Sequence, residues 1–139
     1  MLNFHDAISV IVFLMLTVLA TSCSNKNVQC HEILEITRKA ALVADTAKTG
    51  KREELTNIAK GLDKVATELA TLGVKNGKLQ VYQAGLVKSY RDTGQALRST
   101  IAALDNPNPT KVMGALNSLA KATNRNQSLL EEMRAICPG

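Results

Sequence analysis

Leu55-Thr56-Asn57-Ile58-Ala59-Lys60-Gly61-Leu62-Asp63-Lys64-Val65-Ala66-Thr67-Glu68-Leu69-Ala70-Thr71-Leu72 is the stretch whose reading decides the fold. Its large apolar residues, Leu55, Ile58, Leu62, Val65, Leu69 and Leu72, are separated by alternating steps of three and four. A helix turns once every 3.6 residues and a strand alternates every two, so only a helix gathers these side chains on one face. Glu53 and Glu54 precede the stripe, where negative charge favours the positive end of a helix dipole, and the helix is predicted from Arg52 to Leu72. One amphipathic helix cannot bury its own stripe, so the chain must supply partners.

Both flanks do so. Downstream, past a turn bracketed by Gly73 and Gly77, a helix from Lys78 to Leu104 carries Leu79, Gln83, Leu86, Tyr90, Gly94, Leu97, Ile101 and Leu104 at the same spacing. Asp105-Asn106-Pro107-Asn108-Pro109 breaks it, and Asn108-Pro109 reads as the N-cap and first-turn proline of the next helix. That helix runs from Pro109 to Ile136, with Val112, Leu116, Leu119, Thr123, Asn126, Leu130, Met133 and Cys137 on one seam. Upstream, Cys30 to Lys48 forms the remaining helix, with Cys30, Ile33, Thr37, Ala40 and Ala44 as its stripe and Thr49-Gly50 as its stop. Four amphipathic helices joined by short loops predict an all-α, up-down-up-down antiparallel four-helix bundle.

The N-terminus is of another kind. Residues 7–20 hold no charge and are mostly Ile, Val, Leu, Phe and Met, the length of a signal-peptide apolar core and short of the roughly 20 residues a spanning helix needs. Leu19-Ala20-Thr21-Ser22-Cys23 ends the run with small residues before a cysteine. This segment resembles a bacterial lipoprotein signal, with Ala20 where Leu is usual and no Lys or Arg before the apolar core. The resemblance implies cleavage after Ser22, a lipidated Cys23 as the mature N-terminus, and an anchor in the cell-envelope bilayer through acyl chains. Plain secretion and an uncleaved signal anchor are the alternatives. The chain then divides into a leader (1–22), a lipidated tether (23–29) and the bundle (30–139). The bundle resembles the small exported four-helix lipoproteins of Gram-negative bacteria and cyanobacteria, some of which assist larger membrane complexes.

Export changes what the cysteines mean. With Cys23 lipidated, Cys30 and Cys137 remain, one at each end of the folded body, and an oxidising compartment favours their pairing over two free buried thiols. Up-down topology brings the two positions to the same end of the bundle. A bridge closing about 100 residues would stabilise by up to about 4.7 kcal/mol in the chain-entropy account.

Function is less legible. The chain carries 17 Lys and Arg against 12 Asp and Glu. Beyond the leader its only aromatics are Tyr82 and Tyr90, too few for base stacking, so nucleic acid is not an expected partner. The same topology puts Lys26, Lys75, Lys78 and Arg134 at the anchored end, where each base near an anionic leaflet contributes about 1 kcal/mol. Lys88, Arg91, Gln95 and Arg98 line one face of the third helix, suited to an acidic partner or simply the solvated side. His31 follows Cys30 without the Cys-x-x-Cys-His of haem attachment, and a His31–Met133 haem pair is disfavoured against a surface histidine and a core methionine. Glu35, Glu68 and Glu131 lack the Glu-x-x-His pattern of di-metal bundles, and there is no phosphate loop or nucleophile elbow. No catalytic residue, metal or cofactor is expected. The readings that remain are a membrane-tethered interaction or accessory module, a bundle that holds a small hydrophobic ligand or cofactor, and a disulfide-stapled secreted inhibitor.

Overall fold

A computed structural model describes residues 26–137; the leader and Cys23 lie outside the described residues. Four helices account for nearly all of them: α1 (26–44), α2 (Arg52–Thr71), α3 (Gly77–Asp105) and α4 (Pro109–Ile136). They form the four-helix bundle that the periodicities predict.

Each start has a local cause. The Asn76 side chain accepts from the Lys78 and Leu79 N–H groups at the head of α3, and Asn108 does the same for Thr110 and Lys111 at the head of α4, with Pro109 in the first turn. Such caps satisfy two of the four N–H groups that a helix start leaves without a partner. α2 has no capping side chain at Lys51; instead Glu54 reaches back to accept from the Thr49 and Gly50 N–H groups and the Thr49 hydroxyl. Gly50 makes this turn possible with φ at +66°, a left-handed conformation that glycine adopts without penalty.

Cross-helix contacts fix the antiparallel order. Arg52 pairs with Asp105 and Asp63 with Arg98 between α2 and α3. The buried Ser89 hydroxyl donates to the Ala122 carbonyl between α3 and α4. Lys39 pairs with Glu68 between α1 and α2, and a Cys30–Cys137 disulfide ties α1 to α4. The α2 stripe is buried as read: Ile58, Leu62, Val65 and Leu69 are at most 6% exposed. Ile33, Leu79, Leu86 and Met133 complete the centre of the core.

Three expectations need correction. The first helix is displaced: residues 26–29, assigned to the tether, are helical, and residues 45–48 are not. Beyond Val43 that helix has only Ala44 and Ala47 to bury, too little apolar surface to hold another turn, and Thr46 and Ala47 donate to the carbonyls three residues back as the helix tightens and ends. On α4, Leu116 is 45% exposed because α1 stops short of it, and Thr123 is exposed because the α1 side chains beside it, Ala41 and Ala44, are too short to cover it; Ala115 and Ala122 face inward instead. On α3, Leu104 is 57% exposed while its neighbour Ala103 is buried.

Candidate functional site

One disulfide and the side-chain amides of two glutamines gather four chain segments at one end. The Cys30–Cys137 disulfide joins the start of α1 to the end of α4, with a Cα–Cα distance of 5.8 Å and both residues buried. One turn before the close of α4, Met133 is fully buried. The Gln29 side-chain oxygen accepts from the Lys75 N–H at 2.8 Å and the Asn76 N–H at 3.1 Å, joining α1 to the α2–α3 turn. Gln83 Nε2 donates to the Leu69 and Leu72 carbonyls, satisfying the end of α2 from the second turn of α3.

The four basic residues expected at the anchored end all lie on segments joined by these bonds. Lys26 is half-buried on α1, Lys75 is exposed in the α2–α3 turn, Lys78 is exposed in the first turn of α3, and Arg134 is exposed in the last turn of α4. None of them has an ion-pair partner among the described residues. Two features of this end are not evident from sequence. Val28 and Val81, 52% and 69% exposed, lie on α1 and in the second turn of α3, two and three residues from Lys26 and Lys78. Gln29 is only 4% exposed although it belongs to a polar run, because its amide makes hydrogen bonds there. The signal was its place four residues before Ile33, one turn upstream on the same stripe.

The α3 face divides differently. Arg91 is exposed with no ion-pair partner among the described residues, whereas Lys88 pairs with Asp92 at 2.6 Å and Arg98 with Asp63 at 2.8 Å. Surface pairs of this kind contribute about 0–1 kcal/mol, so Lys88 remains available to a competing anion. Across a shallow cleft between α3 and α4, Lys88 faces Lys121 and Arg125, with Ser99 and Ser118 further along. Sequence reasoning missed the two α4 bases, since their nearness to Lys88 follows only from the register set by Ser89 and Ala122.

The other candidates are occupied structurally. His31 is exposed and Met133 belongs to the core, so the two do not face a common cavity as haem ligands would. Glu35 pairs with Arg38, Glu68 with Lys39, and Glu131 accepts from Gln127. The Lys39 ammonium beside Glu68 holds that carboxyl below its ordinary range. Among the described residues no cluster of His, Cys, Asp and Glu could hold a metal, and no helix is long and apolar enough to cross a membrane. No family model, curated protein or solved structure matches the chain.

Proposed function

We propose that the chain is a membrane-tethered, non-enzymatic interaction module of the bacterial cell envelope, anchored through a lipidated Cys23 and docking an acidic protein partner on the α3–α4 side. The observation that carries this reading is the Cys30–Cys137 disulfide. A buried disulfide belongs to an oxidising compartment, which is where a lipoprotein-like leader would deliver the chain. The acyl chains would leave from three residues upstream of Lys26, at the end that holds Lys75, Lys78 and Arg134. An anionic leaflet would attract those bases within a Debye length, about 8 Å at physiological ionic strength.

The α3–α4 cleft then presents Lys88, Lys121 and Arg125 against the single acid Asp92, while Arg91 borders the neighbouring groove between α2 and α3. Such a field speeds encounter with an acidic surface and falls with salt. The direct experiment places a photo-crosslinking residue at Ser118, which lines that cleft, in native membranes and identifies the products by mass spectrometry. One reproducible partner with an acidic contact surface is expected. A spread of abundant neighbours, unchanged when Lys121 and Arg125 are both replaced by Glu, would overturn the proposal.

A further inference from the structure

The cleft that holds Lys88, Lys121 and Arg125 does not end at Ser99 and Ser118. Those two serines also line a second hollow of about 510 Å³, which continues between α3 and α4 past Ala102, Ala103, Gly114 and Ala115 to Asn106 and Lys111. Together they make one groove along the helix pair, running from Lys88 to Asn106. At 1.5 Å per residue that is about 27 Å, the length of about five helical turns.

Positive charge stands at both ends of this groove. Lys88, Lys121 and Arg125 face Asp92 at one end, and Lys111 lies at the other. Lys111, Lys121 and Arg125 are exposed and have no ion-pair partner among the described residues. About 15–21 Å of α4 separates Lys111 from the other two. Between the ends no charged side chain lines the groove, and short ones such as Ala96, Ala103 and Gly114 let another backbone come close.

The backbone decides what kind of segment fits. The described residues contain no strand, and the N–H and C=O groups in the middle of α3 and α4 are paired within their own helices, so the groove offers no edge to extend. An extended segment would lay a row of N–H and C=O groups where only Gln95, Ser99 and Ser118 could answer them, and buried polar groups without partners are costly. A helix satisfies its own backbone and presents side chains alone. We infer that the groove receives one helix of the partner, about five turns long, with carboxylates near both ends about ten to fourteen residues apart. The inference rests on the proposed docking of an acidic protein at the α3–α4 cleft and adds the form of what docks.

Photo-crosslinking residues at Gln95 and at Ala102, one per variant of the full chain in native membranes, test it alongside the one at Ser118. Both positions are exposed and line the groove, and two turns of α3 set them about 10 Å apart along it. Both should capture the partner caught from Ser118, at sites about seven residues apart in its sequence. An extended segment would be caught at sites about three residues apart, since a strand advances about 3.3 Å per residue. Lys111→Glu puts an acid in the first turn of α4, where the helix dipole favours it, so circular dichroism should be unchanged while capture from Ala102 falls about two- to fivefold. Capture from Ser118 and Gln95 with none from Ala102, sites about three residues apart, or a yield indifferent to Lys111→Glu would each overturn the inference and leave an acidic partner at the cleft. No reproducible partner from any of the three positions would overturn it together with the reading on which it rests.

Discussion

Replacing both bridging cysteines, Cys30→Ala with Cys137→Ala, is expected to remove a large part of the stability of this bundle. The bridge spans a sequence separation of 107 residues, nearly the whole described chain. Closing a loop of about 100 residues lowers the entropy of the denatured chain enough to stabilise the fold by about 4.7 kcal/mol at 25 °C. Both residues are also buried, so removing two sulfurs adds a packing loss of about 1 kcal/mol. Domains of this size have total stabilities of about 5–15 kcal/mol, which makes the bridge a third or more of the whole. At about 3–6 °C per kcal/mol, intermediate between smaller and larger domains, the thermal midpoint should fall by roughly 17–34 °C, and the urea midpoint should fall with it. The assay is urea unfolding followed by circular dichroism on the full chain, oxidised, reduced and doubly substituted. Because the constraint acts on the denatured chain, its removal should also raise the m-value, since a longer free chain exposes more surface. An unchanged midpoint together with an unchanged slope would refute the reasoning.

Gly61→Ala should destabilise by about 1–3 kcal/mol despite the roughly 1 kcal/mol gain in helix propensity, because a Cβ there would meet Val43 Cγ1 at 2.5 Å. Denaturant titration should show the loss reversed into a gain when Val43→Ala is added. Gln29→Ala leaves the Lys75 and Asn76 N–H groups without their acceptor and should cost about 1–3 kcal/mol by the same assay. Glu54 has its carboxyl held below the ordinary value, first by the Thr49 N–H, with the Thr49 hydroxyl and the Gly50 N–H adding to it. A depressed folded pKa stabilises above the unfolded value and is lost as pH falls through the folded one, so Glu54→Gln should flatten the acid side of the stability profile and leave its shape near neutrality unchanged.

What the sequence made legible follows from where apolar periodicity does the structural work. α2, α3 and α4 begin and end within one residue of their expected bounds, since unbroken stripes and the Asn108 cap determine them. Residues 26–29 proved helical rather than part of a tether, because Gln29, which composition reads as polar, is buried against the α2–α3 turn, and the helix ends early on alanines that barely discriminate helix from loop. Leu104 and Leu116 were placed inside on the assumption that every helix runs the length of its neighbours, which α1 does not. Thr123 was placed inside too, but Ala41 and Ala44 beside it are too short to cover it. The disulfide was legible because up-down topology brings Cys30 and Cys137 to the same end. The Asp63–Arg98 pair joins residues 35 positions apart on different helices and required the register of α2 against α3.

The account's central claim is that this bundle works at a bilayer, held there through Cys23. Intact-mass analysis of the chain extracted from bacterial membranes tests it most directly. The claim predicts a mature chain that begins at Cys23, carries acyl groups on that residue, and is two hydrogens lighter than its fully reduced form because Cys30 and Cys137 are joined. An unmodified chain recovered from the soluble fraction, or one that retains residues 1–22, would contradict it.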